Sequence, residues 1–424
     1  QLKLIDTIGL NYVEYLSALI YAIYEIESEP KNFFVIDELI YTVQSIDEQL
    51  YKIRKKEKSE KLFINIKFRE VIKEESYPIF KNCVLEMKEL IENTREYQKT
   101  LLAEAFENII SEADKNNEIS FQNTEYYTPK EIVKTMVKLF PVENRTSIYN
   151  PACGTGNFLV ESARSGSIYA FGDESNISNY NICMTNLWLH NIENKKIDEI
   201  RIDQMPRVDY AISNPPFTIN NMSKDDERFE KIFYRYGVFE NASSYSKFIV
   251  KMLESVNTNG KVSVIVPHGF LFKKTRSEYN LRLNLIQNSY IDAIIALPEK
   301  LFNGTKIPVV ILVLQKKYKR DDILYIDASK EYVKERKRNI LSEENQAKII
   351  ETYKNRIEKP NYSIKVDVKT IIKNDYDLNI KKYIKIKKEE NHIDIKTENR
   401  DLENLETELL SINTEIKEIL EKYI

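Results

Sequence analysis

The sequence predicts an α/β protein: a mostly parallel sheet, a helical region before it and a helical extension after it. Three observations carry this prediction. Between residues 119 and 330, short β-rich runs alternate with helical ones, the pattern of a sheet covered by helices on both faces. A glycine-bearing turn, Asn150-Pro151-Ala152-Cys153-Gly154-Thr155-Gly156-Asn157-Phe158, separates one such run from a helical stretch. A stiff turn, Asn214-Pro215-Pro216-Phe217, ends a later run.

Residues 1–118 read as a helical N-terminal domain, poor in proline and glycine. Leu101, Leu102, Ala105, Phe106, Ile109 and Ile110 recur at helical spacing opposite Glu104, Glu107 and Glu112. The most apolar stretch, Ile8 to Ile26, carries Asn11, Glu14 and several tyrosines; it reads as a buried helix, not a membrane span. The charge run from Leu50 to Lys61 is either a solvated face or a nucleic-acid backbone contact.

Residues 119–330 read as the central domain. Ser147 to Tyr149, Ile168 to Gly172, Val208 to Ile212, Lys261 to Val266, Ile291 to Ala296 and Val309 to Leu314 are the predicted strands, with a helix from Phe158. Right-handed crossovers place the strand-end loops on one edge, where such sheets bind ligands. Residues 331–424 return to charged, helical sequence. Leu402, Leu405, Leu409, Leu410, Ile412, Ile416 and Ile419 space out by threes and fours; this amphipathic helix either seeks a partner or docks on its own domain.

The 424 residues allow two or three domains, and 42% apolar content allows a buried core. With 63 basic against 66 acidic residues the net charge is -3, which excludes a protein that grips nucleic acid over its whole surface. Any such contact is local or comes from a partner. Three cysteines and three histidines, without ligand-like spacing, predict a reduced, metal-free, cytoplasmic chain. No basic signal-peptide start is present, although the chain begins at Gln1 and not at Met.

Glycines at 154 and 156 permit a tight turn and close ligand approach. Asp173-Glu174, at the end of the next strand, offer acceptors for two ribose hydroxyls. Phe158 would crowd a pyrophosphate, so a nucleoside without phosphates suits the turn better than a dinucleotide. Asp203 follows a further apolar segment; it either meets an adenine amino group or is a surface aspartate. Thr128 reads as the cap of a helix from Glu131 to Phe140, with Pro129 in its first turn. The start of that helix would suit a carboxylate.

The Asn214 turn suits an amino group on a flat ring. Such an amine is a poor nucleophile, because its lone pair is delocalised into the ring. The Asn214 side-chain carbonyl and the Pro215 backbone carbonyl would accept its two N–H bonds and favour a pyramidal nitrogen. The double proline stiffens the loop, and Phe217 offers a stacking face worth about 1–3 kcal/mol per base. A base inside a duplex would have to be flipped out to reach it.

Together these motifs resemble those of DNA adenine-N6 methyltransferases. Val264-Ile265-Val266-Pro267-His268-Gly269-Phe270-Leu271-Phe272, Ala296-Leu297-Pro298-Glu299-Lys300-Leu301-Phe302-Asn303-Gly304-Thr305-Lys306-Ile307-Pro308 and Ile326-Asp327-Ala328-Ser329 resemble segments of the modification subunits of type I restriction-modification systems. The likeness covers about residues 100–355. It implies a Rossmann-like, S-adenosylmethionine-dependent methyltransferase sheet. Cofactor contacts are implied on Glu125, Tyr126, Tyr127, Thr128, Pro129 and Lys130, on Pro151, Ala152, Gly154, Thr155, Gly156 and Asn157, and on Glu174 and Asp203. Asn214, Pro215, Pro216 and Phe217 take the catalytic and stacking roles, and Phe302 adds a second aromatic wall for the base. Two positions depart from the family pattern: Asn150 stands where an acid is common, and the loop before Tyr126 lacks its usual glycine.

After Leu314 nothing reads as a β-rich module for base edges. Double-stranded DNA is then read by another chain: a separate specificity subunit with two copies of this chain, joined by a translocating restriction subunit. Competing readings are a stand-alone DNA, RNA or protein-glutamine amino-methyltransferase, which the methylated product separates, and a non-catalytic DNA-binding scaffold, which cofactor binding separates.

Overall fold

The structure is a computed structural model. It describes residues 12–28, 39–72, 76–93, 98–115, 127–166, 168–198, 205–217, 227–239, 242–302, 307–316, 320–336 and 338–384, with Thr407, Leu409 and Ile412 beyond. Eleven strands are described, in chain order β1 Thr146–Asn150, β2 Ile168–Gly172, β3 Lys195–Ile197, β4 Val208–Ser213, β5 Val256–Pro267, β6 Ile291–Ala296, β7 Val309–Gln315, β8 Asp322–Asp327, β9 Val333–Lys334, β10 Asn339–Ile340 and β11 Ser363–Asp367. Nine form one sheet in the order β11-β8-β6-β7-β5-β4-β1-β2-β3. β9 and β10 form a separate antiparallel ribbon.

From β3 to β5 the pairings are parallel, β7 runs against both β5 and β6, and β6 and β8 are again parallel. The C-terminal ends of β1, β2, β4, β5, β6 and β8 therefore share one edge. The chain leaves β1 toward β2 and β3, then returns to place β4 on β1's other side. This reversal opens a crevice at the ends of β1 and β4.

The sheet is buried on both faces, so its central strands read as continuous apolar runs. Along β7, Val309, Ile311 and Val313 join one core cluster, and Val310, Leu312 and Leu314 join the other. The helices Lys130–Lys138, Asn157–Ala163, Ile177–Leu189 and Glu343–Lys354 pack into the first; Ser244–Ser255 and Arg276–Gln287 pack into the second. The buried helix expected over Ile8 to Ile26 is Tyr12–Ser28, which packs on Ile177–Leu189. Among the described residues, no helix is long and apolar enough to cross a membrane. The charge run after Leu50 closes the helix Leu39–Lys56, with Lys52, Lys55 and Lys56 exposed.

Residues 1–384 form one compact unit and 385–424 another. The reading of everything after 330 as helical needs correction. The ribbon and β11 lie there, and β11 pairs antiparallel with β8 to edge the sheet. Ser363 to Asp367 alternates polar and apolar residues, but its two apolar residues, Ile364 and Val366, lie in a charged stretch and do not set it apart from the helical sequence around it. In the second unit, Thr407, Leu409 and Ile412 are helical and exposed; the rest of the predicted amphipathic helix lies outside the described residues.

Candidate functional site

The glycine turn after β1 is held by backbone bonds. Cys153 N–H donates to Asp173 O and Asp173 N–H to Asn150 O, both at 3.0 Å, which zips β1's exit to β2's. Gly154 and Gly156 have φ of +55° and +86°, the left-handed region that glycine enters without penalty. A Cβ on Gly156 would also stand 3.0 Å from Cys183 Sγ, so the helix Ile177–Leu189 backs the turn closely. Asn186 Nδ2, on that helix, donates to Thr155 O at 3.0 Å.

The two acids after β2 part company. Asp173 is buried, accepting from Tyr149 OH at 2.8 Å and pairing with Lys251. Glu174 faces the cleft, and its carboxylate accepts from Gly154 N–H at 3.0 Å and Asn176 N–H at 2.7 Å. Two backbone donors fix the carboxylate's direction while each oxygen keeps spare acceptor capacity. The pair of ribose acceptors expected from the sequence thus reduces to Glu174. Asp173 instead neutralises a buried ammonium.

Asn214 follows β4 directly. Its Nδ2 donates to Thr128 Oγ1 at 3.0 Å, and its buried Oδ1 has no hydrogen-bond partner among the described residues. An unpartnered buried acceptor costs about 1–3 kcal/mol, and here it belongs to a residue that lines the cleft. Thr128 was expected to cap the next helix. That helix, Lys130–Lys138, has Pro129 at its N-cap and no side-chain cap, so Thr128 stands one residue too early and its hydroxyl meets Asn214.

Two neighbours of the Asn214 turn carry no sequence motif. Ser244 Oγ donates to Pro216 O. The ring of Tyr245 meets Phe217 edge-on, centroids 6.3 Å apart at 85°, and its hydroxyl reaches Glu278 at 3.2 Å. Burial pushes the Tyr245 phenol up to about 12, so it stays a neutral donor. Both residues open the helix Ser244–Ser255, whose Lys251 holds Asp173. One helix therefore braces the Asn214 turn and the exit of β2. A serine pair before an apolar-periodic run was the only trace in the sequence.

The structure gathers Tyr127, Thr128, Ala152, Gly154, Thr155, Asn157, Glu174, Asn214, Pro215, Pro216 and Phe217 around one cleft, with about 640 Å³ of empty space including its open mouth. Cys153 and Phe158 complete the wall. Pro129, Pro151 and Gly156 are buried behind it. Phe302 is buried in the core and is not part of the lining. Glu125, Tyr126 and Asp203 lie outside the described residues. Asn150, in the position where an acid was noted as common, turns Oδ1 to Ala152 N–H at 3.1 Å and leaves a buried Nδ2 unpartnered.

Lys130 faces away from the cleft, toward Glu107 of the helix Gln98–Lys115. Glu107 accepts from Lys130 Nζ at 2.9 Å and His190 Nε2 at 2.8 Å, and pairs with Arg164. Burial alone would raise its pKa, but the hydrogen bonds from His190 and Lys130 and the charge of Arg164 hold it at about 2. This cluster ties the N-terminal helices to the wall of the cleft. Among the described residues, no group of His, Cys, Asp and Glu is arranged to hold a metal ion.

Known proteins resemble this chain in sequence and in fold. A type I restriction enzyme methylase subunit from Methanocaldococcus jannaschii is 32% identical over 308 residues, covering 66% of this chain and 53% of that protein. One from Mycoplasma pneumoniae is 28% identical over 324 residues, covering 70% and 60%. The chain thus spans between half and two thirds of the length of these relatives. The crystal structure of a type I restriction-modification methyltransferase subunit from Streptococcus thermophilus has a TM-score of 0.70 at 21% identity, covering 90% of this chain and 97% of that one, and so shows the same fold. The profile of the family described as N-6 DNA Methylase matches residues 97–392, from the helix that carries Glu107 to beyond the last strand of the sheet. The chain belongs to the N-6 DNA methylase family.

Proposed function

We propose that this chain methylates adenine N6 in double-stranded DNA, using S-adenosylmethionine, as the modification subunit of a type I restriction-modification complex. The observation that carries the reading is Asn214 Oδ1: a buried acceptor without a partner among the described residues, on a residue that shares a cleft with the glycine turn. It awaits a donor, and an exocyclic amine is one.

The cleft fits the cofactor. Glu174, already oriented by two N–H groups, accepts from ribose hydroxyls, and the turn at Gly154 to Asn157 lets the nucleoside lie against backbone. Tyr127 and Phe158 flank it. S-adenosylmethionine supplies an electrophilic methyl group. Asn214 Oδ1 and the Pro215 carbonyl accept the two amine N–H bonds and free the lone pair for attack. Phe217, braced by Tyr245, stacks the flipped base. The methylated nitrogen is strongly acidic and loses its proton to solvent, so no general base is required.

The relatives are named as subunits of type I restriction enzymes. By that likeness this chain works with a separate specificity subunit that reads the DNA, two copies of this chain to one of it, and with a restriction subunit, in the cytoplasm. The helical N-terminal region and the C-terminal extension flank the catalytic domain and serve those contacts.

The test is transfer of a labelled methyl group from S-adenosylmethionine to DNA. Label recovered as N6-methyladenine with the wild-type chain plus specificity subunit supports the reading. Asn214→Ala in the same complex should cut kcat about 10²–10³-fold while cofactor affinity stays near wild type. Label from this chain alone would move DNA reading into it. No label on DNA despite cofactor binding would overturn the proposal.

A further inference from the structure

The edge that holds the cleft also carries the β9–β10 ribbon, and the ribbon is fastened there. Asn339 donates through its backbone N–H to Lys300 O at 2.9 Å and through Nδ2 to Glu299 O at 2.8 Å. Arg338 pairs with Glu131 and donates to Leu301 O at 3.3 Å. Glu299 to Leu301 leave the end of β6, and Glu131 follows closely on Thr128 of the cleft. The ribbon is thereby pinned to two segments next to the active edge.

Its other side chains have no structural task of this kind. Tyr332 and Val333 are 43% and 48% exposed. Lys334 and Arg336 are exposed, as are Lys300 and Lys330 nearby. Among the described residues, none of these four cations forms an ion pair, while neighbouring cations do: Lys348 with Glu331 and Arg338 with Glu131. Glu299 and Glu335 are the exposed acids of the same stretch. Unpaired positive charge collected at one place on a chain of net charge -3 is the local basic feature that polyanion binding demands.

We infer that the β9–β10 ribbon grips the phosphate backbone of duplex DNA beside the base drawn into the cleft, Lys334 and Arg336 each meeting a phosphate. The inference rests on the DNA reading above. Flipping turns a nucleotide about its own backbone, so its flanking phosphates stay at the cleft mouth whatever the sequence. Long flexible cations suit such contacts, which position the duplex and carry no sequence information. An acidic protein surface would meet the ribbon too, but nothing would then require it to stand at the active edge.

The test is fluorescence anisotropy of a short labelled duplex of mixed sequence with the full chain, titrated at several salt concentrations. Lys334→Gln with Arg336→Gln should lower the slope of log affinity against log salt by about 1.8 and weaken binding alike for unrelated sequences. S-adenosylmethionine affinity and the thermal midpoint should not move. Lys369→Gln with Lys373→Gln, on the exposed helix Val368–Lys373 elsewhere, should leave the slope unchanged. A wild-type slope in the ribbon variant, an equal loss in the helix variant, or no duplex binding by the wild type would each overturn the inference. Methyl transfer to DNA by the complex with the specificity subunit separates the two levels. If wild type and ribbon variant transfer alike, the ribbon falls and the reading of function stands; if the wild type binds cofactor yet methylates no DNA, the reading itself falls.

Discussion

Asn214, Thr128 and Ser244 show how one turn is held ready from several sides. The Asn214 amide spends its donor on Thr128 and keeps its acceptor free. Ser244 occupies the Pro216 carbonyl, so that carbonyl cannot swing toward the cleft and the one before it stays available. Ser244→Ala should leave Pro216 O unpaired and the turn looser, at a cost of about 1–3 kcal/mol to its preferred geometry. The expected outcome is a kcat about tenfold lower with cofactor Kd and DNA KM near wild type, and recovery in Ser244→Thr. A KM change without a kcat change would show that Ser244 serves only packing. Gly156 makes a similar point about backbone: its left-handed φ and the 3.0 Å approach to Cys183 both demand the missing side chain.

At the scale of elements, the helix Gln98–Lys115 is joined to the catalytic sheet through Glu107. Its carboxyl, near 2 against an ordinary 4.5, is stabilised in the charged form by folding. The sign follows: this contribution is complete above the unfolded value and drains away as pH falls through about 4.5 toward 2. Discounted for solvent screening of its exposed partners, the shift corresponds to about 1–2 kcal/mol at neutral pH. Glu107→Gln should lower the urea midpoint at pH 7 and flatten its fall between pH 5 and 3. Equal slopes in mutant and wild type would remove Glu107 as the acid-sensitive link. The helix Ser244–Ser255 plays the corresponding role on the opposite face of the sheet, through Ser244, Tyr245 and Lys251.

Across the whole molecule, the cleft draws its walls from the ends of β1, β2 and β4 and from the segment before the helix Lys130–Lys138. These pieces are distant in sequence and adjacent only in the folded sheet. A ligand there binds the native state alone, so S-adenosylmethionine at about a hundredfold over its Kd should stabilise the chain by about 2.7 kcal/mol. Scanning calorimetry should show the same upward shift in Asn214→Ala, whose acceptor faces the substrate amine and not the nucleoside. Loss of the shift in that variant would move Asn214 into the cofactor site.

Local sequence determined much of this protein. Alternating strand and helix periods gave the α/β class, and burial on both faces made β7 legible as an apolar run from Val309 to Leu314. Glycine at 154 and 156, and proline at 215 and 216, marked both turns of the site, because backbone conformations of that kind restrict residue choice strongly. What the tertiary structure alone decided depends on neighbours remote along the chain. Asp173 and Glu174 look alike in sequence; only the position of Lys251 sends one into the core and leaves the other in the cleft. Phe302 looks like a ligand wall and proves to be core. Thr128 reads as a helix cap, but the helix has Pro129 at its N-cap and the Thr128 hydroxyl meets Asn214. The ribbon was missed because two-residue strands are too short for a period to emerge; β11 alternates but lies in a charged stretch, and its pairing energy comes from β8, which the local sequence does not contain.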